Sequence, residues 1–158
     1  MDNDQIGFDI EFDEKTEAFL DWVAPERMES AIQAFLADTI PGIADYTDTW
    51  WMPPLLIRVL EAAKEIFGDW DRFIAPENRD RADQLVRFLG ECCIRRHPGM
   101  AWTKNPESTW PLYSGFAPAV HYVKSGNGAT MKRIAKWLFD DDGPGMVEHS
   151  IRTAGRPA

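Results

Sequence analysis

The sequence predicts an α+β fold in a single domain, with a helix-rich N-terminal two-thirds packed on a small antiparallel β-meander. Three observations lead there. Apolar residues recur at helical spacing in three segments between residues 25 and 97. After Gly99 the pattern changes to short aromatic or β-branched runs separated by turn residues, as in consecutive strands. The chain has 158 residues, a length at which one core is stable without disulfides or metal. The domain is expected over residues 1–142, followed by a loosely ordered tail over 143–158 that lacks periodicity.

Taken in order, Ile6, Phe8, Ile10 and Phe12 alternate with Gly7, Asp9, Glu11 and Asp13, the period of a half-buried strand. Residues 16–24 follow with Phe19, Trp22 and Val23 on one side. Pro25 suits a first helical position, where a missing N–H costs nothing. Met28, Ala31, Ile32, Phe35 and Leu36 then trace an apolar helical face that Pro41 and Gly42 stop. Residues 41–54 read as a long loop closed by two prolines. Leu55, Leu56, Val59, Leu60, Ala63, Ile66 and Phe67 form a second helical stripe, with Gly68 as its left-handed stop. Pro76 opens a third helix with Ala82, Leu85, Val86, Leu89, Cys92 and Cys93 on its apolar face. Arg95, Arg96 and His97 sit in its last turn, where cations complement the helix dipole. The meander is read from 100–104, 110–114 and 117–124, with a hairpin loop over 105–109 and a turn at Ser125-Gly126-Asn127-Gly128. Met131, Ile134, Ala135 and Leu138 mark a final helix.

The acidic N-terminus has no basic region followed by an apolar run, so no secretory signal is read, and no segment has the apolar length of a membrane span. The adjacent Cys92 and Cys93 would make a strained bridge, which points to reduced thiols and a cytoplasmic protein. Net charge is −9, unevenly spread: residues 1–50 hold 13 Asp and Glu against 2 Lys and Arg, a formal −11, and the rest carries +2. General nucleic-acid binding and membrane association are therefore not expected, whereas an acidic face speeds encounter with a basic partner. A solvated face that aids solubility is the plainer explanation of the same charge.

Candidate chemistry is sparse. His97, His121 and His149 match no zinc spacing, and neither metal nor cofactor is expected. Cys92 and Cys93 lie on an apolar helix face, which favours packing over nucleophilic catalysis with His121. The Ser125–Thr130 run lacks a Walker lysine. Glu91 lies near the apolar face, with Arg87 and Arg95 placed to pair with it as a structural ion pair. Trp22, Trp102 and Trp137 are assigned to the core. Trp50 and Trp51, beside Asp45, Tyr46 and Asp48, read as an exposed interface loop or as a plug folded onto the core.

Within residues 83–123, Phe88-Leu89-Gly90-Glu91 ends a helix that runs through a glycine into a strand bearing Trp102, with a later strand after a proline. This quarter of the chain resembles small bacterial proteins, some of them immunity-type proteins of polymorphic toxin systems. The resemblance implies a cytoplasmic protein that works by binding, and it assigns no catalytic residue. Gly90, Glu91 and Trp102 match the pattern as structural positions.

The function expected from these readings is a non-enzymatic protein-binding module, an immunity protein that inhibits a basic toxin. Its partner-binding residues are Glu11, Asp13, Asp45, Tyr46, Asp48, Trp50 and Trp51. One alternative is a small ligand-binding or enzymatic domain using Glu91, Tyr113 and His121 between helices and meander. Another is an acidic nucleic-acid mimic.

Overall fold

A computed structural model describes residues 17–41, 49–104, 110, 112–113 and 116–154. The expected strand at 6–12 and hairpin loop at 105–109 lie outside the described residues. Helix α1 (17–22) leads through a turn into α2 (Pro25–Thr39). Its buried Met28, Ile32, Phe35, Leu36 and Thr39 recur at helical spacing. Helix α3 (Leu55–Phe67) ends at Gly68, whose positive φ of +87° favours glycine, with ψ of −57° instead of the expected left-handed helical value. The short α4 (Trp70–Phe73) begins at Asp69, whose side chain accepts the Arg72 backbone N–H at 2.8 Å. A single 3₁₀ turn (Pro76–Asn78) then opens α5 (Arg79–Arg96).

Helix α5 is the centre of the molecule. Ala82, Leu85, Val86, Phe88, Leu89, Cys92 and Cys93 are buried, and the helix packs against α2, α6, α7, β1 and β2. A helix covered on most sides needs apolar residues beyond one stripe, which the run from Leu85 to Cys93 supplies.

The sheet is three-stranded and antiparallel, ordered β1 (Met100–Lys104), β2 (Pro118–Tyr122) and β3 (Gly128–Thr130). Trp102 pairs with Val120, Ala101 with His121, and His121 with Gly128. The meander is therefore present, but one strand differs from expectation. Trp110, Leu112 and Tyr113 are not in a strand; the Tyr113 N–H donates to the Trp110 carbonyl at 2.9 Å and closes a turn. The third strand is instead Gly128–Thr130, which has no apolar alternation and is defined by its pairing with β2.

Helix α6 (Met131–Trp137) follows. Residues 143–153 are not a loose tail. They form α7 (Gly143–Thr153), with Val147 and Ile151 fully buried and packing against α3, α5 and α6. Gly143 permits the tight corner before it, since a Cβ there would lie 1.8 Å from the Leu138 carbonyl oxygen. His97 ties α7 to the sheet. Its Nε2–H donates to the Ile151 carbonyl at 2.7 Å, which leaves Nδ1 to accept from the Tyr122 hydroxyl at 2.8 Å. His97 is thus a buried junction as well as a helix-end residue. Arg96 adds an ion pair to Glu148 on α7 at 3.1 Å.

Candidate functional site

Asp83, Arg87, Glu91 and Arg95 recur every four residues on α5 and so share one face. This alternating ladder organises the aromatic residues of α1, β1 and the loop before α3. Asp83 Oδ1 accepts from Trp22 Nε1–H at 2.8 Å and from the Tyr113 hydroxyl at 2.6 Å. Its other oxygen accepts from Arg87 Nε at 2.8 Å. Arg87 also donates through Nη1 to the Trp22 carbonyl at 2.6 Å and lies over the Trp22 ring, 4.3 Å from its centroid. Both ends of this buried pair are thereby hydrogen-bonded, the condition under which burial of charge is tolerated. Burial, reinforced by the Asp83 charge, pushes the Tyr113 phenol well above its ordinary range, so it acts as a donor.

One turn further, Trp102 Nε1–H donates to Glu91 Oε2 at 2.7 Å. Arg95 pairs with Glu91 at 3.9 Å and with Glu29 of α2 at 3.6 Å. Arg87 does not pair with Glu91, as the spacing alone had suggested it would; Asp83 and the Trp22 carbonyl hold it instead. Burial raises the Glu91 carboxyl above its ordinary 4.5, opposed by the Trp102 hydrogen bond and the Arg95 charge. A carboxyl raised in the folded state binds more protons than in the unfolded chain. Stability should therefore fall as pH rises from about 4.5 through the folded-state value. Glu91→Gln keeps an acceptor for Trp102 and should flatten that fall, matching the wild type below about pH 4 and exceeding it at pH 7. Glu91→Leu should cost about 1–3 kcal/mol by orphaning the indole N–H. Urea midpoints for the three proteins, taken at both ends of the window, check this.

Of the expected partner-binding residues, Glu11, Asp13, Asp45, Tyr46 and Asp48 lie outside the described residues. Trp50 is 3% exposed and packs on Phe88, so the plug reading describes it, and its indole is not offered to a partner. Trp51 is half-buried, edge-on to Trp50 at 5.3 Å, and Met52 beyond it is exposed. The Arg95 guanidinium lies over both indoles, 4.8 Å from Trp50 and 5.0 Å from Trp51. The structure thus brings together Trp51, Arg95 and Glu29 at the end of the acidic loop. Arg95 and Glu29 were missed as partners of this loop, because a contact between helices and a loop leaves no local sequence period.

Glu91, Tyr113 and His121 do not converge. Glu91 bonds Trp102 and Tyr113 bonds Asp83, while strand alternation turns His121 to the sheet face opposite Trp102. Trp102 and Trp137, assigned to the core, are half-buried at its edge, and Trp22 is fully within it. Cys92 and Cys93 are free and buried. Burial pushes the Cys93 thiol up to about 12 and Cys92 well above its ordinary value, so neither is an activated thiolate. Among the described residues no group of three His, Cys, Asp or Glu is placed to hold a metal ion. No described helix is long and apolar enough to cross a membrane. Between α2 and α5 runs an open groove of about 530 Å³, lined by Glu26, Arg27, Ser30, Asp80, Asp83 and Arg87 among others.

These features define a helix-rich α+β domain with an aromatic edge braced by Arg95. No protein-family model, curated protein or solved structure matches the chain.

Proposed function

We propose that this protein is a non-enzymatic protein-binding module, an immunity-type inhibitor that covers a basic partner with its acidic N-terminal third. The observation that supports the reading most is the −11 formal charge of residues 1–50; the edge formed by Trp51, Arg95 and Glu29 adds an aromatic anchor. Long-range attraction would set the rate of encounter, and the half-buried indole would supply the desolvated anchor that holds the complex. Bracing by Arg95 lowers the ordering cost of that anchor on binding. The resemblance of residues 83–123 to immunity-type proteins agrees with this role.

The test compares capture of partners from the source cell's lysate by the wild type and by Asp45→Lys/Asp48→Lys, at low and high salt. One basic protein held stoichiometrically, weakened by salt and weakened about tenfold by the charge reversal, is the expected result. Trp51→Ala should shorten the lifetime of that complex with little effect on its rate of formation. Capture indifferent to salt and to charge reversal overturns the reading.

A further inference from the structure

The charge of the molecule reverses on the outer face of its sheet. Residues 108–139 contain no Asp or Glu and four basic residues, Lys124, Lys132, Arg133 and Lys136. In a chain of net charge −9 with 26 acidic residues, that run is locally basic. Its described part holds β2, β3 and α6. Strand register places Thr103, Ala119, His121 and Thr130 together on the face opposite Trp102 and Val120. Val120 is fully buried, whereas Thr103, His121 and Thr130 of the second face are partly exposed around a buried Ala119. A depression of about 400 Å³ lies there, and none of its ten lining residues is acidic. Arg133 brings charge to it from α6, and the half-buried His121 comes from β2. The Arg133 guanidinium lies over the Trp137 ring at 4.7 Å, which restricts its range before any ligand arrives. Neither the His121 imidazole nor the Arg133 guanidinium has a hydrogen-bond or ion-pair partner among the described residues.

We propose that this depression binds the phosphate group of a small phosphorylated ligand. A guanidinium, an imidazole and two threonine hydroxyls are donors that phosphate oxygens take. The donors arrive from three strands and a helix, so they suit a tetrahedral anion better than a planar carboxylate. The volume is that of a small-molecule site. The strongly negative remainder of the chain would repel an extended polyanion such as a nucleic acid, which leaves a compact ligand as the occupant. The proposal does not depend on the reading of the acidic N-terminal third.

The test is an NMR titration of isotope-labelled full-length protein with inorganic pyrophosphate, against sodium chloride of equal ionic strength. Saturable shifts of the His121 ring and of the Gly128 and Thr130 amides are expected. Arg133→Glu, at an exposed position, should weaken binding about tenfold or more, as loss of a charge-assisted hydrogen bond requires. His121→Ala should weaken it less while leaving the circular dichroism spectrum unchanged. No saturable shift by about 10 mM overturns the proposal. So do shifts that both variants leave intact. Citrate binding as tightly as pyrophosphate would make this a carboxylate site, and a short oligonucleotide binding more tightly than either would make it a nucleic-acid face; each result overturns the assignment.

Discussion

Replacing Arg87 by methionine is expected to destabilise the fold by about 3–5 kcal/mol, the cost of removing one member of a buried ion pair. In a chain of this length that corresponds to a fall in melting temperature of roughly 10 °C. Methionine matches much of the arginine's length, so the loss is electrostatic more than volumetric. Three interactions go at once: the bond to Asp83, the bond to the Trp22 carbonyl, and the stacking over the Trp22 ring. The Arg87 side chain is 4% exposed and that of Asp83 26%, so the guanidinium is buried while the carboxylate borders the groove between α2 and α5. Asp83 keeps the Trp22 and Tyr113 donors but loses its compensating charge. Adding Asp83→Asn removes that uncompensated carboxylate, so the double variant should recover about half of the loss. Arg87→Lys should fall between wild type and Met, because an ammonium group cannot reach two acceptors in the fixed geometry of a guanidinium. Urea and thermal unfolding followed by far-ultraviolet circular dichroism measure all four proteins. A loss under about 1 kcal/mol for Arg87→Met would show that solvent reaches the pair and screens it.

The helical part of the fold was legible because its physics is local. Pro25 and Gly68 punctuate helices whose apolar stripes repeat at short range, and the structure places both at helix ends. Helix α7 was missed for the same reason in reverse. Gly143, Pro144 and Gly145 look like a terminator, yet Pro144 stands in the first helical turn and only Val147 and Ile151 mark the buried face. Strand β3 has no periodic signal at all, since Gly128, Ala129 and Thr130 become a strand by pairing with residues 119–121. The same limit applies to the candidate site. The charges of the α5 ladder were visible, but which aromatic each one holds depends on where α1, β1 and the loop before α3 arrive. Trp50 shows the consequence, because loop composition suggested exposure where the fold uses the indole to cover Phe88.

Gly90→Ala reverses the usual effect of that substitution. In a helix interior alanine is better than glycine by about 1 kcal/mol, and Gly90 lies deep within α5. Here a Cβ would lie 1.9 Å from Cη2 of Trp102 and 2.4 Å from its Cζ2, distances at which something must move. Trp102 has little freedom to move. Its indole N–H is held by Glu91 at 2.7 Å, and its ring meets Trp22 edge-on at 4.9 Å. Displacing it would strain or break both, so Gly90→Ala should cost about 2–4 kcal/mol net, overpacking and a lost hydrogen bond outweighing the gain in propensity. In this chain Gly90, Glu91 and Trp102 act as one unit: the glycine makes the slot, the tryptophan fills it, and the glutamate fixes the indole by its nitrogen. The double variant Gly90→Ala/Trp102→Leu should regain part of the loss, because leucine no longer meets the added methyl. A double-mutant cycle in urea measures that coupling, and the indole N–H resonance of Trp102 reports whether the Glu91 bond survives. If Gly90→Ala proves as stable as the wild type with that resonance unmoved, the slot is wider than these distances state, and the three residues are not one unit.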